Sequence, residues 1–365
     1  MIKIYEPYKI NKSIRNVSES LYNSELTLGK KDYQKMCIEL SKLHSGLQVL
    51  PVFNGTCATH LVYKALKNRL PKLKNIVVPN NVYIAAWNSI LFDNDNINLI
   101  PIDCNLETWC IDTNRLTSLL SKMDPEETGI MIVHNIGGIV NVPKLKEANP
   151  DFVFIEDNCE GFLGTYEGKP TGTASIASSL SFYANKTITS AEGGAVVLNT
   201  NKDNDILYRY HSQGQTKERY VHDIIAYNYR MTNIQASILL SQIEIIDEII
   251  DKKRKIYEFY KKELSNHFIF QKDQKGTKHS RWMTAVRILD LNYHKEVDDN
   301  NLGFETRPMF YPMSKHKHLQ KFASPDDEKN ANLLSKEVFM IPSHPGLSRK
   351  DLEKIVYTLN NMVSQ

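Results

Sequence analysis

The chain has 365 residues, of which 41% are hydrophobic and 24% are charged, and this length suffices for one large globular domain with a smaller one. Its 45 lysine and arginine residues are nearly balanced by 42 aspartate and glutamate residues, which leaves a formal net charge of +3. Because nucleic-acid-binding proteins usually carry strong, clustered positive charge, we expect no nucleic acid partner.

The cysteine and histidine patterns indicate neither a disulfide framework nor a metal site. The five cysteines are an odd number without a C-x-x-C pair, and the histidines form no H-x-x-x-H or H-E-x-x-H pair. The N-terminus lacks the apolar core of a signal peptide, and no apolar run approaches the roughly 18 residues that cross a bilayer. We therefore expect a cytoplasmic protein with reduced thiols, no metal and no membrane contact.

Taken in chain order, the sequence predicts an N-terminal arm and then an α/β domain. Residues 1–50 are rich in lysine, serine and glutamate, with helical spacing at Met36, Leu40 and Leu43. Short apolar runs then alternate with amphipathic stretches such as residues 58–70, which is typical of a mostly parallel sheet covered by helices on both faces. The predicted strands are residues 50–53, 76–78, 97–102, 130–133, 153–155, 180–183 and 195–198.

The remaining residues predict a smaller C-terminal α+β domain. A long helical pattern covers residues 233–264, and either Asn233 or Thr232 is suitable as its N-cap. Strands are expected at residues 284–288 and 304–307, and a final helix at residues 349–362. We place the boundary near residue 245, so that residues 1–245 form the arm and the large domain and residues 246–365 the small domain.

A possible anion site lies where the first predicted strand ends and a helix begins. Gly55 and Thr56 stand at this helix N-terminus, where free backbone N–H groups suit a phosphate and the Thr56 hydroxyl adds a donor. A capped helix without a ligand is the structural alternative. There is no G-x-G-x-x-G and no Walker lysine, so neither a dinucleotide nor a nucleoside triphosphate is indicated as cofactor.

Three further positions have both a structural and a chemical interpretation. Asp157 ends a buried strand, where it could pair with an arginine or a helix N-terminus, or could hold a heteroaromatic nitrogen protonated. Tyr83 follows a strand and could fill the core or stack on a flat ligand. Lys186 lies between two apolar runs that could pair through it, and it could be a surface lysine or a reactive amine on a loop at strand ends. Together with the phosphate cradle, these residues match the requirements of pyridoxal 5'-phosphate.

The motifs resemble, in order and wording, the DegT/DnrJ/EryC1/StrS family of pyridoxal-phosphate-dependent aminotransferases, most of which act on nucleotide-linked keto sugars. The strongest match is residues 181–194, whose wording is most similar to the GDP-perosamine synthase branch of that family. The resemblance covers almost the whole chain and implies the aspartate-aminotransferase fold (pyridoxal phosphate fold type I). The other matching segments are residues 54–61, 78–85, 155–161, 222–235 and 304–313.

The resemblance implies a role for each matching position. Lys186 would hold the cofactor's aldehyde, Asp157 would pair with the pyridine nitrogen, and Tyr83 would stack on the ring. Glu160 would lie near the phenolic oxygen. Asn228 would reach the phosphate from the neighbouring subunit, which implies a homodimer with shared active sites. The residues implied to hold the phosphate within one subunit are Gly55, Thr56, Cys57 and Ser181.

We therefore predict an aminotransferase that moves an amino group from L-glutamate to a nucleotide-linked 4-keto-6-deoxyhexose. The alternatives are another keto acceptor, namely a free keto sugar acid or a small phosphorylated ketone, or a non-catalytic homodimer that binds pyridoxal phosphate. A dehydratase of the same fold would be expected to carry histidine in place of Lys186. The sequence departs from the family pattern at residues 24–26, Ala226 and Ser314, and these changes concern the acceptor rather than the cofactor.

Overall fold

The computed structural model describes residues 1–93, 96–199, 204–298 and 302–363. The chain begins with two helices that precede the first strand, α1 (Ser13–Tyr22) and α2 (Lys31–Leu43). Met36 and Leu40 of α2 are fully buried, as the helical spacing predicts. These two helices pack against a later helix and thereby cover part of one sheet face.

A seven-stranded sheet forms the centre of the fold. Its strands, in spatial order, are β1 (Gln48–Val52), β9 (Gly194–Leu198), β8 (Ala177–Ser181), β5 (Val153–Asp157), β4 (Thr128–Val133), β2 (Asn75–Pro79) and β3 (Asn98–Ile102). Neighbouring strands are parallel except that β9 runs antiparallel to both β1 and β8. The predicted mostly parallel α/β sheet is therefore confirmed, and the carboxyl ends of β1, β2, β5 and β8 meet at one edge.

Helices cover both faces of this sheet, because side chains alternate between faces along each strand. On one face, α3 (Gly55–Arg69) packs Leu61 and Leu66 in the same apolar cluster as Val196 of β9. On the other face, Val197 of β9 packs with Leu239. The helices that complete the two layers are α4 (Ala85–Leu91), α5 (Thr113–Leu120), α6 (Val142–Ala148) and α7 (Asn204–His211).

The prediction of one continuous helix over residues 233–264 was wrong. The structure has two helices, α8 (Asn233–Ile243) and α9 (Ile246–Glu263), separated by a break at Glu244 and Ile245. Ile243, Ile245 and Ile246 are all buried in one cluster, whereas a single straight helix would turn Ile245 to the side opposite Ile243. Thr232 caps α8 through a capping box with Gln235, in agreement with one of the two predicted caps.

The C-terminal residues form a second, antiparallel sheet in the order β10 (Ile269–Phe270), β12 (Thr284–Arg287), β14 (Val338–Ile341) and β13 (Arg307–Pro308). The helices α10 (Lys329–Glu337) and α11 (Arg349–Met362) accompany it, and α11 has the predicted bounds. The strand predicted at residues 304–307 is displaced, because Phe304 forms an isolated bridge with Ile2 and β13 begins at Arg307. The boundary at residue 245 stays a prediction.

The C-terminal part of the chain contacts the rest at several places, among them a small sheet and the N-terminal arm. A small sheet combines β11 (Thr277–Lys278) with β6 (Thr165–Tyr166) and β7 (Lys169–Pro170). The N-terminal arm crosses to the second sheet, where the Ile4 N–H donates to the Glu305 carboxylate at 3.0 Å. Within the described part of the chain, we find no helix that combines the length and the apolarity needed to span a membrane.

Candidate active site

A cavity of about 640 Å³ opens at the carboxyl edge of the central sheet, beside the N-terminus of α3. Its volume lies within the range of small-molecule sites. The predicted site residues that line it are Gly55, Thr56, Tyr83, Asp157, Glu160, Ser181 and Lys186. Residues that lie up to 131 positions apart in the chain (186 − 55 = 131) therefore meet in one place, because β1, β5 and β8 all end at this edge.

The α3 N-terminus forms a close-fitting cradle against the end of β8. Asn54 caps the helix by accepting the Cys57 N–H at 2.9 Å. A Cβ atom on Gly55 would lie 2.7 Å from the Ser181 Cβ, so only glycine permits this approach of the backbone to the serine. The first N–H groups of a helix have no intrahelical partner and attract anions, so Gly55, Thr56 and Ser181 present donors suited to a phosphate. The Cys57 N–H is already donated to Asn54, and the phosphate role of Cys57 stays a prediction.

Asp157 ends β5 and is buried at the wall of the cavity. Its Oδ1 accepts the Cys159 N–H at 3.0 Å and faces the Ser179 hydroxyl at 3.4 Å. Thr59 of α3 donates in turn to the Ser179 hydroxyl oxygen at 3.0 Å. Among the described residues no arginine pairs with Asp157, so neutral donors orient its carboxylate. The carboxylate can still accept a hydrogen bond from a group in the cavity.

Lys186 lies on the loop between β8 and β9, and it is not a surface lysine. The two strands pair directly, with Leu180 opposite Ala195, as the sequence suggests. The predicted strand at residues 180–183 is displaced, because β8 ends at Ser181 and the chain then turns into the cavity. The Lys186 side chain is only 13% exposed, and its Nζ lies 4.1 Å from the centre of the Trp282 ring.

Glu160 faces Lys186 across the cavity floor. Its Oε1 lies 3.9 Å from the Lys186 Nζ, and its Oε2 accepts the Ile136 N–H at 2.8 Å. Burial raises the pKa of the Glu160 carboxyl to about 7, although the Lys186 ammonium partly lowers it. Ile136 has a positive φ of 56°, which is strained for a β-branched residue and directs its N–H at this carboxylate.

Tyr83 lies at the mouth of the cavity, so its interpretation as core filler was wrong. The side chain is 59% exposed and its ring lies edge-on to Phe310, with ring centres 5.9 Å apart. Its stacking on a flat ligand stays a prediction. Asn228, in contrast, is absent from the cavity wall and exposed, and its Oδ1 accepts from the Arg230 Nε at 2.8 Å.

Sequence reasoning missed the contribution of the C-terminal residues to the cavity. Trp282, Arg307 and Phe310 line it, and all three come from the second sheet or its connections. The Trp282 Nε1 donates to the Asn185 carbonyl at 3.0 Å and thereby holds the Lys186 loop. The signal for Arg307 was present in the matching segment 304–313, whereas Trp282 follows no pattern that would mark it.

The arrangement fits pyridoxal phosphate on structural grounds. A helix N-terminus that a glycine lets approach Ser181 closely suits the phosphate, a largely shielded amine in the cavity suits the aldehyde, and a buried carboxylate suits the ring nitrogen. These groups lie in one cavity and follow the carboxyl ends of three strands, β1, β5 and β8. The fit depends on Gly55, Asp157, Ser181 and Lys186, and no metal ligand set is needed to complete it.

Comparison with known proteins agrees with this geometry. Residues 7–360 match the DegT/DnrJ/EryC1/StrS aminotransferase family. GDP-perosamine synthase of Escherichia coli O157:H7 is 32% identical, covering 100% of this chain and 99% of that protein, and GDP-perosamine synthase of Vibrio cholerae is 30% identical, covering 99% of each. The solved structure of E. coli GDP-4-keto-6-deoxy-D-mannose-3-dehydratase with bound hydrated pyridoxal phosphate has a TM-score of 0.89 and 19% identity, covering 98% of this chain and 99% of that one. This last likeness concerns the fold and confirms the predicted fold type.

Proposed function

The chain belongs to the DegT/DnrJ/EryC1/StrS aminotransferase family, and on this premise we propose that it uses pyridoxal 5'-phosphate to transfer an amino group from L-glutamate to a nucleotide-linked 4-keto-6-deoxyhexose. The observation that carries the proposal is the convergence of Lys186, Asp157 and the Gly55 cradle in one cavity. The bound cofactor supplies an aldehyde that exchanges amines and a ring that withdraws electrons from the reacting carbon.

Each residue of the site has a defined task. Lys186 would hold the cofactor's aldehyde through its Nζ, and the same nitrogen, as a free amine, would carry a proton. The Asp157 carboxylate keeps the ring nitrogen protonated, and the donors from Cys159 and Ser179 keep Asp157 in place. Gly55, Thr56 and Ser181 bind the phosphate. Glu160 lies beside Lys186 and is suited to the cofactor's phenolic oxygen.

The acceptor is inferred from the relatives and from one cation at the cavity. The full-length relatives at 30–32% identity are GDP-perosamine synthases. Arg307 lines the cavity, and among the described residues no carboxylate forms an ion pair with it; its guanidinium lies 5.5 Å from the Tyr5 ring centre. A guanidinium in this position suits a phosphate or carboxylate of an incoming substrate. The first acceptor to test is GDP-4-keto-6-deoxymannose.

We further propose a homodimer in which Asn228 of one subunit completes the phosphate site of the other. Asn228 is exposed and lies outside its own cavity. The same segment exposes large apolar side chains that water disfavours, with Tyr220 78% and Ile225 92% exposed. A second subunit would cover them. The five free cysteines support placing the protein in the reducing cytoplasm.

The direct test incubates the purified protein and L-glutamate with a panel of ketones. We expect a yellow protein that bleaches on addition of glutamate and aminates GDP-4-keto-6-deoxymannose in preference to UDP- or dTDP-linked analogues. Preferential amination of a free keto sugar acid or a small phosphorylated ketone would replace the acceptor assignment. A protein that binds the cofactor but does not bleach with glutamate would indicate the non-catalytic homodimer instead.

A further inference from the structure

A polar cluster outside the cavity joins α3 to the segment that carries Asn228. His60 and Lys64 of α3 both contact Asp93, with the Lys64 Nζ at 2.6 Å from Oδ2 and the His60 Nε2 at 3.3 Å from Oδ1. The Tyr227 hydroxyl also donates to Asp93, and the Tyr229 hydroxyl lies 2.9 Å from the His60 Nδ1. The Asp93 carboxylate therefore connects α3 directly to Tyr227, and His60 of the same helix contacts Tyr229.

The tyrosines form an ordered unit. Their rings stack with centres 4.8 Å apart and an angle of 10° between planes, and the Lys64 Nζ lies 5.9 Å from the centre of the Tyr227 ring. Burial raises the pKa of Tyr227, and so does its hydrogen bond to Asp93. Burial alone would raise the pKa of Asp93, but the hydrogen bonds from Lys64 and Tyr227 hold it below its ordinary value. At neutral pH the cluster thus contains an ionised Asp93 carboxylate that accepts hydrogen bonds from Lys64 and Tyr227.

The backbone of this segment determines where Asn228 points. Asn228 pairs with Ser212, Arg230 pairs with Val52, and the Tyr229 N–H donates to the His211 carbonyl at 3.0 Å, so residues 228–230 are extended. Successive side chains of an extended chain lie on opposite sides. Because Tyr227 and Tyr229 are held against α3, Asn228 is exposed on the opposite side.

The same helix also forms part of the subunit's own cofactor cradle. Gly55 is the first residue of α3, and His60 follows five residues later, about 7.5 Å along the helix axis. A rigid helix therefore carries the cradle of one active site at its start and the anchor of Asn228 along its next turns. In the proposed homodimer, Asn228 serves the other active site.

We propose that Asp93 is a positioning residue for the neighbouring subunit's active site: by binding His60, Lys64 and the Tyr227 hydroxyl, it holds Asn228 in the orientation in which its amide can reach that subunit's cofactor phosphate. This inference rests on the proposed function, namely a dimer with shared pyridoxal phosphate sites. It assigns Asp93 a role in trans, although Asp93 is not part of the cavity lining of its own subunit.

Asp93→Asn keeps the shape of the side chain but removes the negative charge that attracts Lys64 and the Tyr227 hydroxyl. We expect its dissociation constant for pyridoxal phosphate to rise about tenfold, the size of one lost hydrogen bond to a charged group, while kcat at saturating cofactor changes little. Tyr227→Phe, which keeps the ring stack, should give a smaller rise in the same direction. Glu126→Gln, which breaks a remote surface pair with Lys72, is the matched control and should leave the cofactor affinity unchanged.

A double mutant separates positioning from general stability. If Asp93 acts through Asn228, then Asp93→Asn added to Asn228→Ala should weaken cofactor binding no further than Asn228→Ala alone. Additive losses in the double mutant would overturn the proposal, because Asp93 would then act by another route.

A mixed dimer tests the action in trans. A heterodimer of one Lys186→Ala chain and one Asp93→Asn chain contains a single site with Lys186, and Asn228 of the Lys186→Ala chain, with its Asp93 intact, would complete that site. We expect this site to bind pyridoxal phosphate with native affinity and to give about half of the native turnover per dimer. An affinity as weak as that of the Asp93→Asn homodimer would overturn the proposal. A native protein that is monomeric or does not bind the cofactor would refute the proposed function itself, before any variant is made.

Discussion

The Lys186 Nζ lies 3.9 Å from the Glu160 Oε1; the Glu160 side chain is buried and the Lys186 side chain is largely shielded, with 7% and 13% of their surface exposed, respectively. A lysine beside a carboxyl group whose pKa is near 7 has a neighbour that gains or loses charge close to neutral pH. The electrostatic environment of the Lys186 amine therefore depends on pH near neutrality.

The first prediction concerns Lys186 itself. Lys186→Ala should abolish the absorbance of the lysine-bound cofactor and lower turnover by at least about 10³-fold, because both the covalent anchor and the proton carrier are removed. Absorption spectra and single-turnover assays with glutamate measure the two effects. Lys35→Ala, at an exposed position of α2, is the control and should behave like the native protein. Appreciable turnover by Lys186→Ala would show that another group carries the chemistry.

The second prediction concerns the pH dependence of stability. The ordinary pKa of glutamate is 4.5 and that of folded Glu160 is about 7, so between these values the folded protein holds a proton that the unfolded chain has lost. Its contribution to stability is complete at low pH and is lost as pH rises to about 7. Relative to Glu160→Gln, the native protein should lose on the order of 3 kcal/mol of unfolding free energy across this window, at about 1.4 kcal/mol per pH unit.

Urea unfolding of the native protein and of Glu160→Gln at several pH values measures this difference. The variant keeps the size of the side chain and has no titrating group at this position. Parallel stability profiles of the two proteins would mean that Glu160 keeps an ordinary pKa in the folded state.

The third prediction concerns the contact between Gly55 and Ser181. Gly55→Ala would place a Cβ 2.7 Å from the Ser181 Cβ, so we expect it to lose about 1–3 kcal/mol of stability and to bind pyridoxal phosphate more weakly. Adding Ser181→Gly removes the clash and should restore stability but not cofactor affinity, because the serine hydroxyl is lost. Thermal unfolding and cofactor titration separate the two effects. If the double mutant is no more stable than Gly55→Ala, the clash is not the cause.

The fourth prediction concerns Arg307. Arg307→Ala should raise KM for the nucleotide-linked acceptor about 10–100-fold, the effect of one charge-assisted hydrogen bond, with little change in cofactor affinity. Steady-state kinetics with glutamate and the acceptor varied separately would show which substrate it binds. A rise confined to KM for glutamate would assign Arg307 to the donor carboxylate. Arg254→Ala is the control, because Arg254 pairs with Asp251 and Glu258 on the exposed side of α9.

The fifth prediction concerns the connection between the two sheets. Asp103 follows β3 and is buried, and its carboxylate accepts the Asn330 and Ala331 N–H groups of α10 at 2.8 and 2.9 Å. Asp103→Asn should lower the unfolding free energy by about 2–4 kcal/mol, because an amide cannot accept all of these donors. Denaturant unfolding measures the loss. Asp151→Asn, at an exposed position, is the control; an equal effect there would refute the assignment.

Much of the fold and the cofactor site could be predicted from local sequence. The strands β2, β4 and β5 and the helix α11 follow from apolar periodicity and capping residues within short windows. Asp157, Gly55 and Thr56 could be singled out because each stands where a strand ends, and parallel strands place their carboxyl ends at one edge.

Other features could not be predicted, because they depend on residues far apart in the chain. The break between α8 and α9 follows from the packing of Ile243, Ile245 and Ile246 in one cluster, which helical periodicity over residues 233–264 does not reveal. The position of Trp282 depends on its contact with Asn185, 97 residues earlier. Asp93 shows no motif, and only its contacts with α3 and Tyr227 suggest a role.

Both the sequence and the tertiary structure are needed to interpret Lys186. The sequence alone determined that a lysine on a strand-connecting loop, with an aspartate and a phosphate cradle at other strand ends, matches a pyridoxal phosphate enzyme, because those chemical requirements are met by residue type and order. Only the tertiary structure decided that Lys186 faces a buried Glu160 and lies against Trp282, and that Asn228 lies outside the cavity of its own subunit. Burial and distance set the pKa of Glu160 and the orientation of these side chains, and both are properties of the packed chain rather than of any segment of it.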